Sequence, residues 1–186
     1  MKTAIKSIAL VLTLVFTLGI VAGCGLSMSP SDYAKEVVTQ TYDGYKTGTL
    51  EGMGVDSAPS TVPEEALSAL KRIEYTIVST KEISDTEVEV TVKTKALDIK
   101  TIMSNYLNEA MSLATQTELT EEEITTKAKE ILVKCFTDES IDLVEVEKTL
   151  TVVCEDDTWK IKDTAVLSET VLAGYSEVVE SLGAEQ

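Results

Sequence analysis

Glu87-Val88-Glu89-Val90-Thr91-Val92-Lys93-Thr94-Lys95-Ala96 is the stretch whose reading decides the fold. Its alternation puts Val88, Val90, Val92 and Ala96 on one face and Glu87, Glu89, Lys93 and Lys95 on the other. Period two over this length is the pattern of a strand with one dry face and one wet face. Upstream, Ile73, Tyr75 and Ile77 also alternate with polar residues, and Ser84-Asp85 lies between the two runs, so a first hairpin is expected. A second hairpin is expected further on. Val144, Val146, Leu150, Val152 and Cys154 share a face, Glu155-Asp156-Asp157 turns the chain, and Trp159-Lys160-Ile161 returns.

Around these hairpins the period changes to that of helices. Ser29 before Pro30 reads as the N-cap of a helix over Pro30 to Lys46, with proline at its first position. Ala34, Val37, Val38, Thr41 and Tyr45 form its apolar side, and Gly48 ends it. Residues 49–63 hold two glycines and two prolines and read as a loop, followed by a short helix from Pro63 to Arg72. Asp98 can cap a helix over Ile99 to Thr115. Thr120 with Glu123 spells a capping box for another that reaches Phe136. The last helix is expected to run unbroken from Thr164 to Leu182, turning Leu167, Val171, Tyr175, Val178 and Leu182 inward. No internal repeat is present. The fold expected is one α+β domain over residues 30–183, a curved antiparallel sheet of two hairpins packed against several helices.

The N-terminus reads differently. Met1 to Lys6 is basic, Ile8 to Ala22 is apolar apart from Thr13 and Thr17, and Val21-Ala22-Gly23-Cys24 follows. This order describes an export signal, and the apolar run is shorter than the roughly 20 residues a membrane-spanning helix needs. The last four residues resemble the lipobox of bacterial lipoproteins. That resemblance implies a diacylglyceryl group, hence palmitate-type acyl chains, on the Cys24 sulfur, followed by cleavage before Cys24. Residues 1–23 are then a signal peptide and residues 24–29 a lipidated tether. Two acyl chains suffice for stable attachment, where one does not. The expected location is the extracytoplasmic face of a cell membrane.

Composition removes several function classes. The 186-residue chain has a formal net charge of −16, and the leader carries Lys2 and Lys6 but no acid, so the processed chain is more negative still. Such a surface repels nucleic acid and anionic headgroups, which leaves the lipid as the membrane contact. The chain contains no His. It therefore lacks the commonest general base and metal ligand and any Ser-His or Cys-His nucleophile pair. No cofactor, metal site or catalytic residue is assigned.

Ser31-Asp32-Tyr33-Ala34, Tyr42-Asp43-Gly44-Tyr45-Lys46-Thr47-Gly48 and Asp157-Thr158-Trp159-Lys160-Ile161 together resemble Gram-positive membrane lipoproteins of uncharacterised function. The resemblance implies a cystatin-like, nuclear-transport-factor-like fold, in which a curved sheet wraps a long helix. Some relatives of that fold are isomerases that use an acid and a Tyr inside a conical pocket.

The remaining constellations have ordinary explanations beside functional ones. Asp138-Glu139-Ser140-Ile141-Asp142 lacks the spacing of a calcium loop and reads as a solvated connection. Residues 118–157 carry thirteen acids against four bases, which suits either solubility or a basic partner. Cys135 and Cys154 lie on apolar faces, and an exported compartment permits a disulfide between them, or two buried thiols. The function expected is non-enzymatic: a domain that binds a small apolar ligand within the sheet, or a basic envelope protein. The alternatives are a His-free isomerase or dehydratase working in the same concavity, and an interaction module whose concavity is filled by Trp159, Ile161 and helix side chains.

Overall fold

The computed structural model describes residues 21–22, 28–47, 65, 68–114 and 120–183. The leader other than Val21 and Ala22, Cys24, most of the tether and the loop over residues 49–63 lie outside the described residues.

Helix α1, Pro30–Thr47, starts where the sequence places it. The Ser29 hydroxyl oxygen accepts the Asp32 N–H at 3.2 Å and donates to the Asp32 carboxylate at 2.8 Å, so the first turn is closed by side chains. Its stripe of Ala34, Val37, Val38, Thr41 and Tyr45 is buried, and Tyr42 joins it. A four-residue 3-10 turn, Ala69–Arg72, then leads into the sheet. The rest of the helix expected from Pro63 lies largely outside the described residues.

Strands β1 (Glu74–Ser84) and β2 (Glu87–Asp98) form the first hairpin; β3 (Leu143–Glu155) and β4 (Thr158–Ile161) form the second. The spatial order is β4-β3-β2-β1, antiparallel throughout and open at both ends. Central β2 repeats its sequence pattern in its burial: Val88, Val90, Val92, Thr94 and Ala96 are buried, and the alternate residues from Glu87 to Lys95 are partly or fully exposed. The wet face carries cross-strand pairs, Lys95 with Glu74 at 2.6 Å and Lys93 with Glu145 at 2.8 Å. Asp156 and Asp157 both adopt positive φ, 52° and 58°, which is the backbone of a tight hairpin turn whose twist matches the strands it joins. Asp tolerates this region better than most residues. Outside β4, Val21 and Ala22 pair antiparallel with Trp159 and Thr158.

Between the hairpins come α2 (Ile99–Ala114) and α3 (Glu121–Thr137). Asp98 caps the first, accepting the Thr101 N–H at 3.1 Å and its hydroxyl at 2.7 Å. The capping box of the second is complete: Thr120 Oγ1 accepts the Glu123 N–H and the Glu123 carboxylate accepts the Thr120 N–H. Those donors also hold the Glu123 carboxyl below its usual pKa. The pair packs chiefly on itself. Arg72 ties it to the sheet by donating to the carbonyls of Asp138 (3.1 Å) and Ile141 (2.7 Å). Lys134 and Glu109 join the two helices at the surface.

The expected last helix is two. Helix α4 spans Thr164–Val171 and α5 spans Tyr175–Gly183. Between them Leu172 and Ala173 extend and pair in parallel with Leu97 and Asp98 of β2. Gly174 stands at φ +86°, where a side chain would be strained, and lets the chain re-enter a helix. The local apolar spacing runs straight through this break. A pairing with a distant strand overrides it.

Candidate functional site

The inner face of the sheet was the expected place for a ligand. It is filled. Trp159 and Ile161 of β4, Tyr42 and Tyr45 of α1, Leu167 of α4 and Ile102 of α2 are all within 1 % of complete burial. Tyr42 stacks on Tyr75 with ring centroids 4.6 Å apart, and Tyr45 meets Tyr42 edge-on at 6.2 Å. Trp159 lies parallel to Tyr33 at 6.0 Å. These are ordinary separations for attractive aromatic pairs, so the rings hold one another where a hollow fold would hold a guest.

The polar groups in this interior satisfy each other. Thr170 Oγ1 donates to the Leu167 carbonyl at 2.6 Å, which spends its single proton. Tyr42 must then be the donor in its 2.5 Å contact with Thr170 Oγ1. Thr94 of β2 donates to the Thr170 carbonyl at 2.7 Å. Helix α1, the sheet and α4 are thereby joined by one buried chain of hydrogen bonds. Burial pushes the Tyr42 and Tyr45 phenols well above their ordinary value, and both stay protonated at any physiological pH. Trp159 Nε1 is the exception, a buried donor with no partner among the described residues.

An isomerase-type site would need a carboxylate beside an interior Tyr. Among the described residues the buried polar side chains are Thr41, Thr94, Ser168 and Thr170. Tyr75 does donate to a carboxylate, that of Asp43 at 3.1 Å, but at the surface, with Lys46 5.6 Å from the Tyr75 ring.

An open groove of about 380 Å³ lies outside this core, between the first half of β3 and the α4–α5 break. Val144, Val146 and Lys148 form its floor, and Glu169, Lys100 and Glu177 its wall. Alternation along β3 puts Val144 and Lys148 on the inner side with Leu150 and Val152, yet both are exposed. The reason is length: β4 pairs only with Val152–Glu155, and α4 and the α4–α5 break flank the strand's other end across the groove without covering it. Val144, expected in the core, is therefore a groove residue at 38 % exposure. Lys148, skipped when the apolar positions of β3 are counted, was legible as a charge on an inward parity.

Glu169 organises the wall. Its carboxylate accepts the Gly174 N–H at 2.9 Å and the Ser176 N–H at 3.0 Å, and the Ser176 hydroxyl donates to it as well. Partial burial pushes its pKa up, but these donors, with Lys148 nearby, outweigh it and leave the group below the usual carboxylate value. Lys100 pairs with Glu177 at 2.6 Å, closing one end. A depressed carboxyl contributes stability that is present above its unfolded pKa, about 4.3, and is lost as pH falls through the folded value. Glu169→Gln should therefore cost about 1–2 kcal/mol at pH 7. The gap to the parent in urea unfolding should narrow as pH is lowered toward 3.

The two late cysteines are not bridged to each other. Cys135 is a free, buried thiol on α3, with its pKa raised by burial, so the Cys135–Cys154 disulfide that their apolar positions allow is not formed. Helix α3 turns that face onto α2, beside Tyr106, whereas Cys154 lies on β3 across from Trp159. The Asp138 cluster serves its own connection: the Asp138 carboxylate accepts the Ser140 N–H at 2.9 Å and its hydroxyl at 2.6 Å. No helix among the described residues is long and apolar enough to cross a membrane.

No family model matches the chain, and no curated protein matches it in sequence. One solved structure is similar, that of a candidate lipoprotein (YcdA) from Bacillus subtilis, with 18 % identity and a TM-score of 0.45. The match covers 74 % of this chain and 47 % of that protein, so the chain spans about half its length.

Proposed function

We propose that this chain is a lipid-anchored module of the extracytoplasmic membrane face that works by binding another envelope protein rather than by catalysis. The anchor rests on Val21-Ala22-Gly23-Cys24 behind a basic, then apolar, leader. The mode of action rests on one observation: aromatic and aliphatic side chains occupy the sheet interior, with Tyr42, Tyr45, Trp159 and Ile161 fully buried. This favours the filled interaction module over a carrier of small apolar ligands, because a guest would have to displace well-packed side chains. What remains for recognition is the outside of the fold, which is acidic and suits a basic partner. Processing before Cys24 also removes Val21 and Ala22 from beside β4.

Native mass spectrometry of the processed protein, purified gently from an exporting bacterial host, tests the filled interior. The expected mass is that of polypeptide and lipid alone. A discrete additional mass that survives desalting would contradict the reading and restore the ligand carrier.

A further inference from the structure

We propose that the unpaired edge of β3 from Leu143 to Thr149 is a docking strand for a basic, extended segment of a partner protein, which adds to the sheet beside the groove. The proposal deepens the binding-module reading and rests on it.

The geometry begins with the direction of the backbone groups. The Cys154 N–H donates to Thr86 on the β2 side at 2.8 Å, while the Thr151 carbonyl accepts from Lys162 on the β4 side at 2.8 Å. In an antiparallel ladder successive residues alternate between the two sides. Even-numbered residues of β3 therefore bond to β2, and odd-numbered ones point away from it. Beyond Thr151 no strand among the described residues receives them, since β4 ends its pairing at Val152. Leu143, Glu145, Glu147 and Thr149 thus direct both N–H and C=O into open space, with no backbone partner among the described residues. Seven residues of regular edge, backed by an open groove, form a template for strand addition.

The opposite edge is a poorer template. Strand β1 is interrupted by register shifts between Ile77 and Ser79 and between Glu82 and Ser84. Such bulges break the even spacing that an added strand needs.

Charge selects the occupant. The residues that offer edge hydrogen bonds also carry Glu145 and Glu147 on the wet face, while Val144 and Val146 line the groove beneath. In a second copy paired about Val146, Glu145 would stand opposite Glu147, and like charges directly opposite are unfavourable. A segment alternating Lys or Arg with aliphatic residues fits instead. Its cations meet Glu147 and share Glu145 with Lys93, which already pairs with it at 2.8 Å, and its aliphatic side chains enter the groove over Val144 and Val146.

The test is residue-resolved amide exchange on the processed protein in detergent micelles, with and without a capped Val-Lys-Val-Lys-Val-Lys peptide at millimolar concentration. Exchange should slow at least tenfold at Glu145, Glu147 and Thr149 and remain unchanged at Val144 and Val146, whose N–H groups already bond to β2. Glu147→Pro should abolish the effect, because it removes an outward N–H without costing the sheet a bond. Should that variant misfold, Glu145→Lys with Glu147→Lys leaves the backbone intact and should transfer the protection to a Val-Glu peptide. Absence of slowing at those three amides, whether or not the peptide binds elsewhere, overturns the docking strand. That result leaves the binding-module reading standing, whereas a retained interior ligand would sink that reading without touching the edge.

Discussion

Replacing Trp159 by Ala should cost about 3–5 kcal/mol, the range for truncating a large buried aromatic. For a single domain whose whole stability is about 5–15 kcal/mol, that is a large fraction. Trp159 is 1 % exposed, lies against Tyr33, and bridges β3 and the N-terminal half of α1. Its removal opens a void bounded by a sheet on one side and a helix on the other, neither of which can collapse far. Trp159→Phe separates two effects. It keeps an aromatic face for Tyr33 and deletes Nε1, the buried donor that has no partner. An unsatisfied buried donor costs about 1–3 kcal/mol, so losing it offsets part of the lost contact area. The Phe variant should thus lie well above the Ala variant and within about 1–2 kcal/mol of the parent. Urea unfolding followed by far-ultraviolet circular dichroism suits the comparison, since Trp159 is the chain's one tryptophan and fluorescence would vanish with it. Equal losses in the two variants would mean that Trp159 does not hold the interior closed.

Much of this fold was legible wherever local pattern and tertiary packing agree. Val88 to Ala96 alternate in sequence and in burial because β2 is central, with a strand on each side and helices over one face. Ser29, Asp98 and Thr120 announce helix starts because capping is a matter of three or four neighbouring residues. The α4–α5 break was hidden for the opposite reason. Leu167, Val171 and Val178 keep helical spacing, and only the distant partners Leu97 and Asp98 draw Leu172 and Ala173 into the sheet. Cys135 was read correctly as buried, but its neighbour could not be read, since an apolar face does not say which element will cover it.

The groove was half legible. Lys148 at an inward parity, between Val146 and Leu150, is a sequence-level sign that the sheet is not covered there. Nothing local reveals Glu169 as its wall, because that role depends on the broken helix bringing the Gly174 and Ser176 amides round to face it. Reading the edge of β3 needs the same non-local knowledge. The length of β4 decides which backbone groups of β3 are left over, and a four-residue return strand looks in sequence like the visible part of a longer one.

The largest functional effect is expected at Cys24. On the proposed reading the attachment of the whole domain rests on one sulfur, and an acidic protein has no electrostatic hold on an anionic membrane to fall back on. The deciding measurement is fractionation of a bacterial host expressing the full chain or its Cys24→Ala variant, fed with labelled palmitate. The parent should sediment with membranes and carry the label. The variant should lose the label and leave the membrane fraction. A Cys24→Ala protein that stays in the membrane to the same extent as the parent, with neither carrying label, would show that the apolar segment itself is the anchor, and the lipoprotein account would be wrong.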